Sequence, residues 1–264
     1  MNIIITSVVI VASIGLVVGV VLAVASIIMA VPKDEKAEAI LEVLPGANCG
    51  ACGYSGCAGY AKALAENTAE NGLCSPGGQD TIQAVATLLG QSAVQSVRTT
   101  AIVNCMGSID NTEKSMIYQG INTCKAGVQL YGGIKDCSYG CLGFGDCINA
   151  CEYNAIKIVN GIAVVNERLC ASCKKCVAVC PKNLISIVEV KPQAVVLCSN
   201  CDKAINVKKD CKVGCIGCMK CKKVCPENAI TIKNFNATID PNLCSGCFQC
   251  VEQCPQKCIV KKFV

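Results

Sequence analysis

The sequence has no histidine and no tryptophan, and aromatic residues fill only 4% of its 264 positions. Without histidine, the mixed Cys/His zinc sites are excluded. So few aromatics leave no ordinary aromatic core and no platform on which nucleic-acid bases could stack. The net charge of +5 is modest and no basic tract is present, so no nucleic-acid partner is expected. No charged side chain occurs between Met1 and Lys33. What the chain has in excess is cysteine, at 26 residues where average usage supplies a few. Secreted disulfide scaffolds are usually short and lack tight CxxCxxC runs. Three Cys at two-residue gaps, then a fourth followed by Pro, is the bacterial ferredoxin pattern, so iron–sulfur chemistry is the reading. Metal-binding free energy then substitutes for part of the missing core.

The stretch Ile3 to Val31 is apolar with scattered small residues. At 1.5 Å per residue it reaches roughly 43 Å, more than the roughly 30 Å of a bilayer's hydrocarbon. A signal peptide would want a positive n-region and a shorter apolar run, so a membrane anchor is expected over residues 1–32. Lys33, Lys36 and Lys62 follow the helix and nothing positive precedes it. The positive-inside rule leaves the amino terminus outside and the cysteine domains on the cytoplasmic side, where thiols stay reduced. Gly15 and Gly19 form a small-xxx-small pair, as ordinary membrane-helix glycines also do.

An α+β architecture follows: a single transmembrane helix, a small α-rich iron–sulfur domain over 33–90, a linker at 91–100, and two tandem dicluster ferredoxin modules over 101–193 and 194–264. The modules are a repeat. AIVNC (101–105) is echoed by AVVLC (194–198), and KDC (135–137) by KDC (209–211). Cys137, Cys141, Cys147 and Cys151 match Cys211, Cys215, Cys221 and Cys225 gap for gap. A second run follows in each copy, with short alternating strands at 156–165 and 230–239 between the runs.

In two-cluster ferredoxins the fourth Cys of each run serves the other cluster. The last module therefore groups Cys215, Cys218, Cys221 and Cys254 for one cluster, and Cys225, Cys244, Cys247 and Cys250 for the other. In the earlier module Cys151, Cys170, Cys173 and Cys176 form one set. Its other set has Cys141, Cys147 and Cys180 but lacks a ligand, because Phe144 stands where Cys218 stands in the later copy. Cys137 is the nearest candidate, with a three-iron or a lost cluster as alternatives. Upstream, Cys49, Cys52, Cys57 and Cys74 form an independent set in a Gly-rich loop. Cys105, Cys124, Cys198 and Cys211 could hold a sixth cluster between the copies, or be small buried hydrophobes. The expectation is five or six [4Fe–4S] clusters per chain, with Cys201 and Cys258 unassigned.

With its membrane helix, NCGACGYSGC…CSPGG segment and tandem ferredoxin motifs, the chain resembles the B subunits of Rnf complexes, in a longer form with two dicluster modules. That resemblance implies electron transfer from soluble ferredoxin, through the clusters, toward flavin- and NAD-binding subunits, coupled to Na⁺ or H⁺ movement across the cytoplasmic membrane. The related reducing system that keeps an iron–sulfur transcription regulator reduced is the runner-up. A soluble electron-bifurcating or corrinoid module is a third reading, against which the membrane helix counts. The chain itself offers no dinucleotide fingerprint, no P-loop and no intramembrane carboxylate. Lys208, Lys209, Lys222 and Lys223 are the expected docking residues for an acidic ferredoxin, unless they merely balance cluster charge.

Overall fold

The structure, a computed structural model, describes residues 2–28 and 34–263. The end of the expected anchor, 29–32, and its flanking Lys33 lie outside the described residues. Helix α1 (Asn2–Ile28) carries no charge, and its segment Ile5–Ser26 is long and apolar enough to cross a membrane. Its apolar side chains stand exposed on every side, as a lipid-facing helix requires.

The next three helices build one small core. Asp34 caps α2 (Glu35–Val43) by accepting the N–H groups of Lys36 and Ala37. Helices α3 (Cys57–Ala65) and α4 (Gly78–Leu89) close on it, burying Ile40, Leu44, Tyr60, Leu64 and Val85. Gly90, at φ 64°, ends α4 in the left-handed conformation that glycine adopts most cheaply. The segment expected as a linker is fastened: Gln79 accepts the N–H of Ser96 at 2.9 Å and donates to the carbonyl of Val94.

Each module then repeats one plan. Strand β1 (Thr99–Val103) pairs antiparallel with β4 (Ile185–Glu189), placing Ala101 opposite Ile187. Between them lie one-turn helices α5 (Cys124–Gly127), α6 (Asp146–Asn149) and α7 (Lys175–Val179), with the hairpin β2 (Ile156–Val159) and β3 (Ile162–Val165). Asn160 and Gly161 both take positive φ in the hairpin turn, the Asn-Gly signature of a two-residue loop. In the second module β5 (Gln193–Val196) pairs with β8 (Ile259–Lys262), and β6 (Ile230–Lys233) with β7 (Asn236–Ile239). Helices α8 (Ala204–Asp210), α9 (Lys220–Lys223) and α10 (Gln249–Glu252) complete it. Outermost strands thus join the two ends of each module, while the internal hairpin separates its two cysteine runs. Cysteines share both module cores with Ile156, Leu184 and Ile185 in one copy and Ile230 and Ile259 in the other.

Candidate iron–sulfur centres

The amino-terminal set is shaped by its loop. Asn48 accepts the N–H of Cys57 at 2.8 Å and donates to the carbonyl of Gly46. Gly56 sits at φ 141°, and a Cβ there would stand 2.9 Å from the Asn48 Oδ1. The chain therefore curls tightly enough to turn Cys49, Cys52 and Cys57 toward Cys74. Burial pushes the Cys74 thiol up, and those three neighbours add to the shift.

Four one-turn helices carry the next ligand positions. Cys147, Cys176, Cys221 and Cys250 each occupy the second residue of their turn and are buried. A left-handed residue precedes each turn: Gly145, Lys174, Met219 or Phe248. Burial raises the Cys176, Cys221 and Cys250 thiols to about 11. The sulfurs gathered around them are those the ferredoxin pattern groups. Cys170, Cys173 and Cys151 surround Cys176; Cys215, Cys218 and Cys254 surround Cys221; Cys244, Cys247 and Cys225 surround Cys250.

For the remaining two sets the structure exchanges a pair of cysteines relative to the sequence expectation. Burial pushes Cys147 up to about 12, and its sulfur neighbours are Cys141, Cys124 and Cys180. These four line one cavity with Val103, Ile158 and Ile185. Cys124, not Cys137, thus stands where the missing ligand was sought. The physical cause is an insertion: 31 residues separate Cys105 from Cys137, against 12 between Cys198 and Cys211. The insertion folds back, and the Asp146 carboxylate accepts the N–H groups of Cys124 and Lys125 at 2.9 and 3.1 Å. Phe144, occupying the lost ligand's position, packs its ring against Tyr118 of the same insertion, centroids 5.3 Å apart. A Cβ on Gly127 would come within 2.7 Å of that ring, so α5 can lie this close only with glycine there.

Cys137 joins the set between the modules instead. Cys105, Cys137, Cys198 and Cys211 line a second cavity with Met106, Tyr139 and Asn200. Two come from each module at equivalent repeat positions, so the set has internal two-fold character. Burial raises the Cys198 thiol to about 12, and Cys137 and Cys211 move the same way. Amides point at these sulfurs: Gly107 N–H to Cys105 at 3.3 Å, and the Asn200 side chain to Cys137 at 3.5 Å. Such donors suit a sulfur that carries negative charge.

The donor chemistry fits clusters better than lone ions. Among the described residues no group of three Cys, Asp or Glu side chains is set to hold a single metal ion. Two of the sets, that of Cys147 and that of Cys105, line cavities instead, as thiolates around a larger inorganic core must. Neither spacing nor motif predicted one buried charge, Lys135. It is 4% exposed and its ammonium donates to the carbonyls of Gly107 and Gly161 at 2.9 and 3.0 Å. Its neighbours include Cys105, Cys137 and Cys141. Lys208, Lys209, Lys222 and Lys223 are exposed on α8 and α9, and Cys218 and Cys247 are the exposed cysteines.

Comparison with known proteins agrees with this chemistry. Residues 44–76 match the FeS family, described as an Fe-S cluster, and residues 214–258 match the 4Fe-4S dicluster domain. The B subunit of an ion-translocating oxidoreductase complex from Methanosarcina acetivorans is 39% identical, the match covering 92% of both chains. The B subunit of the Na⁺-translocating ferredoxin:NAD⁺ oxidoreductase complex of Acetobacterium woodii is 37% identical, covering 87% of this chain and 69% of its own. The proton-translocating counterpart of Clostridium ljungdahlii is 36% identical, with 92% and 87% covered. The chain belongs to the family of B subunits of ion-translocating oxidoreductase complexes.

Proposed function

We propose that this chain is the electron-transfer subunit of a membrane complex, passing electrons from reduced ferredoxin through six [4Fe–4S] clusters toward flavin- and NAD-binding subunits, coupled to Na⁺ or H⁺ translocation. The observation that carries this reading is a single file of six cysteine sets. Cys49 of the amino-terminal set neighbours Cys173, and Lys174 donates to the carbonyl of Ala51 across that junction at 3.2 Å. Cys176 and Cys147 share the first module's core. The N–H of Cys141 then reaches the sulfur of Cys105, and the N–H of Cys215 reaches that of Cys198. Cys221 neighbours Cys250 at the far end. Each step joins one set to the next.

When bound, a [4Fe–4S] cluster supplies one-electron transfer at a potential set by its surroundings. The chain's own residues hold each set, exclude water from the buried sulfurs and direct amide donors at them. The two ends of the file differ. Only residues 29–33 separate α1 from Asp34, a reach of about 20 Å even fully extended, which keeps the amino-terminal set at the membrane surface. The opposite end belongs to the second module, with exposed Cys218 and Cys247 and the lysines of α8 and α9. An acidic ferredoxin would be steered to that end. Lys36 and Lys62 follow α1 on the cluster side, which supports a cytoplasmic location.

Ferredoxin-dependent NAD⁺ reduction by membranes with and without this chain tests the reading. Loss of the activity, with about 24 iron atoms in the anaerobically purified chain, is the expected result. Activity that survives deletion, or zinc in place of iron, overturns it.

A further inference from the structure

Cys258 belongs to none of the six sets, yet it is 1% exposed and its sulfur lies 3.7 Å from that of Cys254. Cys215 lies in the same buried cluster and is its other sulfur neighbour. Cys215 and Cys254 are members of one set, brought together from the two runs of the second module. Cys258 is fixed there by its own backbone, whose carbonyl accepts the N–H of Leu197 at 2.8 Å just before β8 begins.

The first module supplies an internal control. Leu184 follows Cys180 by four residues, as Cys258 follows Cys254, and each precedes the isoleucine that opens the module's last strand. Leu184 is as buried as its counterpart, at 2% exposure. One module therefore seals this spot with hydrocarbon and the other with a thiol. Hydrocarbon would serve as well for packing alone. The direction of the contact follows from bonding. Sulfurs bound to iron carry no proton, so the hydrogen in the S–H···S contact is the one on Cys258.

We propose that Cys258 is a positioning residue whose single S–H donates to the sulfur of Cys254, beside that of Cys215, raising the reduction potential of the cluster they hold above that of its first-module counterpart. A hydrogen bond to a ligand sulfur stabilises the more negative, reduced state of a cluster. The two modules are thereby unequal in potential although their ligand spacings repeat. This inference rests on the cluster reading of the Cys215 set.

The test uses the full-length chain, purified without oxygen, and follows iron and sulfide content together with EPR-monitored redox titration. In C258L, which installs the first module's residue, and in C258A, iron content should hold while one midpoint moves to more negative potential. C258S keeps a small donor and should recover much of that shift. The reciprocal L184C should move a first-module midpoint to more positive potential, and it reads the idea independently if the Cys258 variants fold poorly. Unchanged midpoints in C258L and C258A, or in L184C, overturn the proposal. Loss of about four irons in C258A also overturns it, because Cys258 would then be a ligand. A wild-type chain without iron would fail the proposed function itself, a result distinct from either.

Discussion

The backbone N–H of Cys141 donates to the sulfur of Cys105 at 3.4 Å, and Cys215 does the same to Cys198 at 3.2 Å. One repeat-related contact therefore ties each module's inner set to the set shared between modules. On the proposed function, that amide is the polar link between neighbouring sites.

The exchange of Cys124 and Cys137 is testable by non-additivity. Cys124→Ala and Cys147→Ala should damage the same cluster, so the double variant should lose no more iron than either single one. Cys137→Ala and Cys211→Ala should behave likewise at the inter-module site. Cys124→Ala with Cys137→Ala should lose about eight irons, the sum of two clusters. Iron analysis and EPR spin counts check this. Additive losses for Cys124 and Cys147 would sink the grouping.

Gly143 and Gly90 both take positive φ but face different surroundings. A Cβ on Gly143 would stand 2.6 Å from the carbonyl oxygen of Gly161, whereas one on Gly90 meets nothing within 4 Å. Gly90→Ala should cost about 1 kcal/mol, the backbone strain alone. Gly143→Ala adds a clash with a backbone that cannot yield and should cost about 3 kcal/mol or more. Thermal melts of the two variants side by side measure the difference, and equal losses would contradict it.

Lys135→Met should destabilise the first module by about 1–3 kcal/mol, since two carbonyls lose a buried donor at once. Lys209, its repeat counterpart, is exposed at the end of α8, so Lys209→Met should be nearly neutral. Denaturant titration under anaerobic conditions compares them. A Lys135→Met midpoint equal to wild type would show that the burial contributes nothing.

Iron removal should separate the amino-terminal helices from the modules. The core of α2, α3 and α4 is built on Ile40, Tyr60, Leu64 and Val85, with its cysteines only partly buried at the edge. The module cores bury Cys141, Cys147, Cys176, Cys215, Cys221 and Cys250 directly. Chelation should therefore abolish amide protection across both modules first. Hydrogen exchange by mass spectrometry resolves the two regions. Module strands that stay protected after iron loss would argue that their hydrocarbon suffices.

Charge reversal at Lys208, Lys209, Lys222 and Lys223 should slow reduction by ferredoxin and flatten its salt dependence, leaving iron content unchanged. Stopped-flow reduction over a range of ionic strength reads this. An unaltered rate would move the docking surface elsewhere, to the first module or the amino-terminal set.

The sequence by itself determined whatever depends on neighbours close along the chain. An uncharged apolar run is long enough to span a membrane wherever it is placed, and α1 is that helix. Three cysteines at two-residue gaps converge because a short loop has few ways to turn, so Cys215, Cys218 and Cys221 needed no tertiary information. The repeat likewise carried the internal strands and the opening strand of each module, whereas the closing strands that pair with those opening strands came only from the fold. Cys124 and Cys137 were beyond that reach. Both lie far in sequence from the sulfurs they join, and a 31-residue connection closes at nearly the same entropic cost onto either cavity. What chose between them is contact between distant parts. The Asp146 carboxylate grips the N–H groups at the start of α5, the ring of Phe144 lies against Tyr118, and Asn200 reaches across the module boundary to Cys137. The first two contacts need the first module folded and the third needs both modules packed together, so spacing could count the ligands but could not assign them.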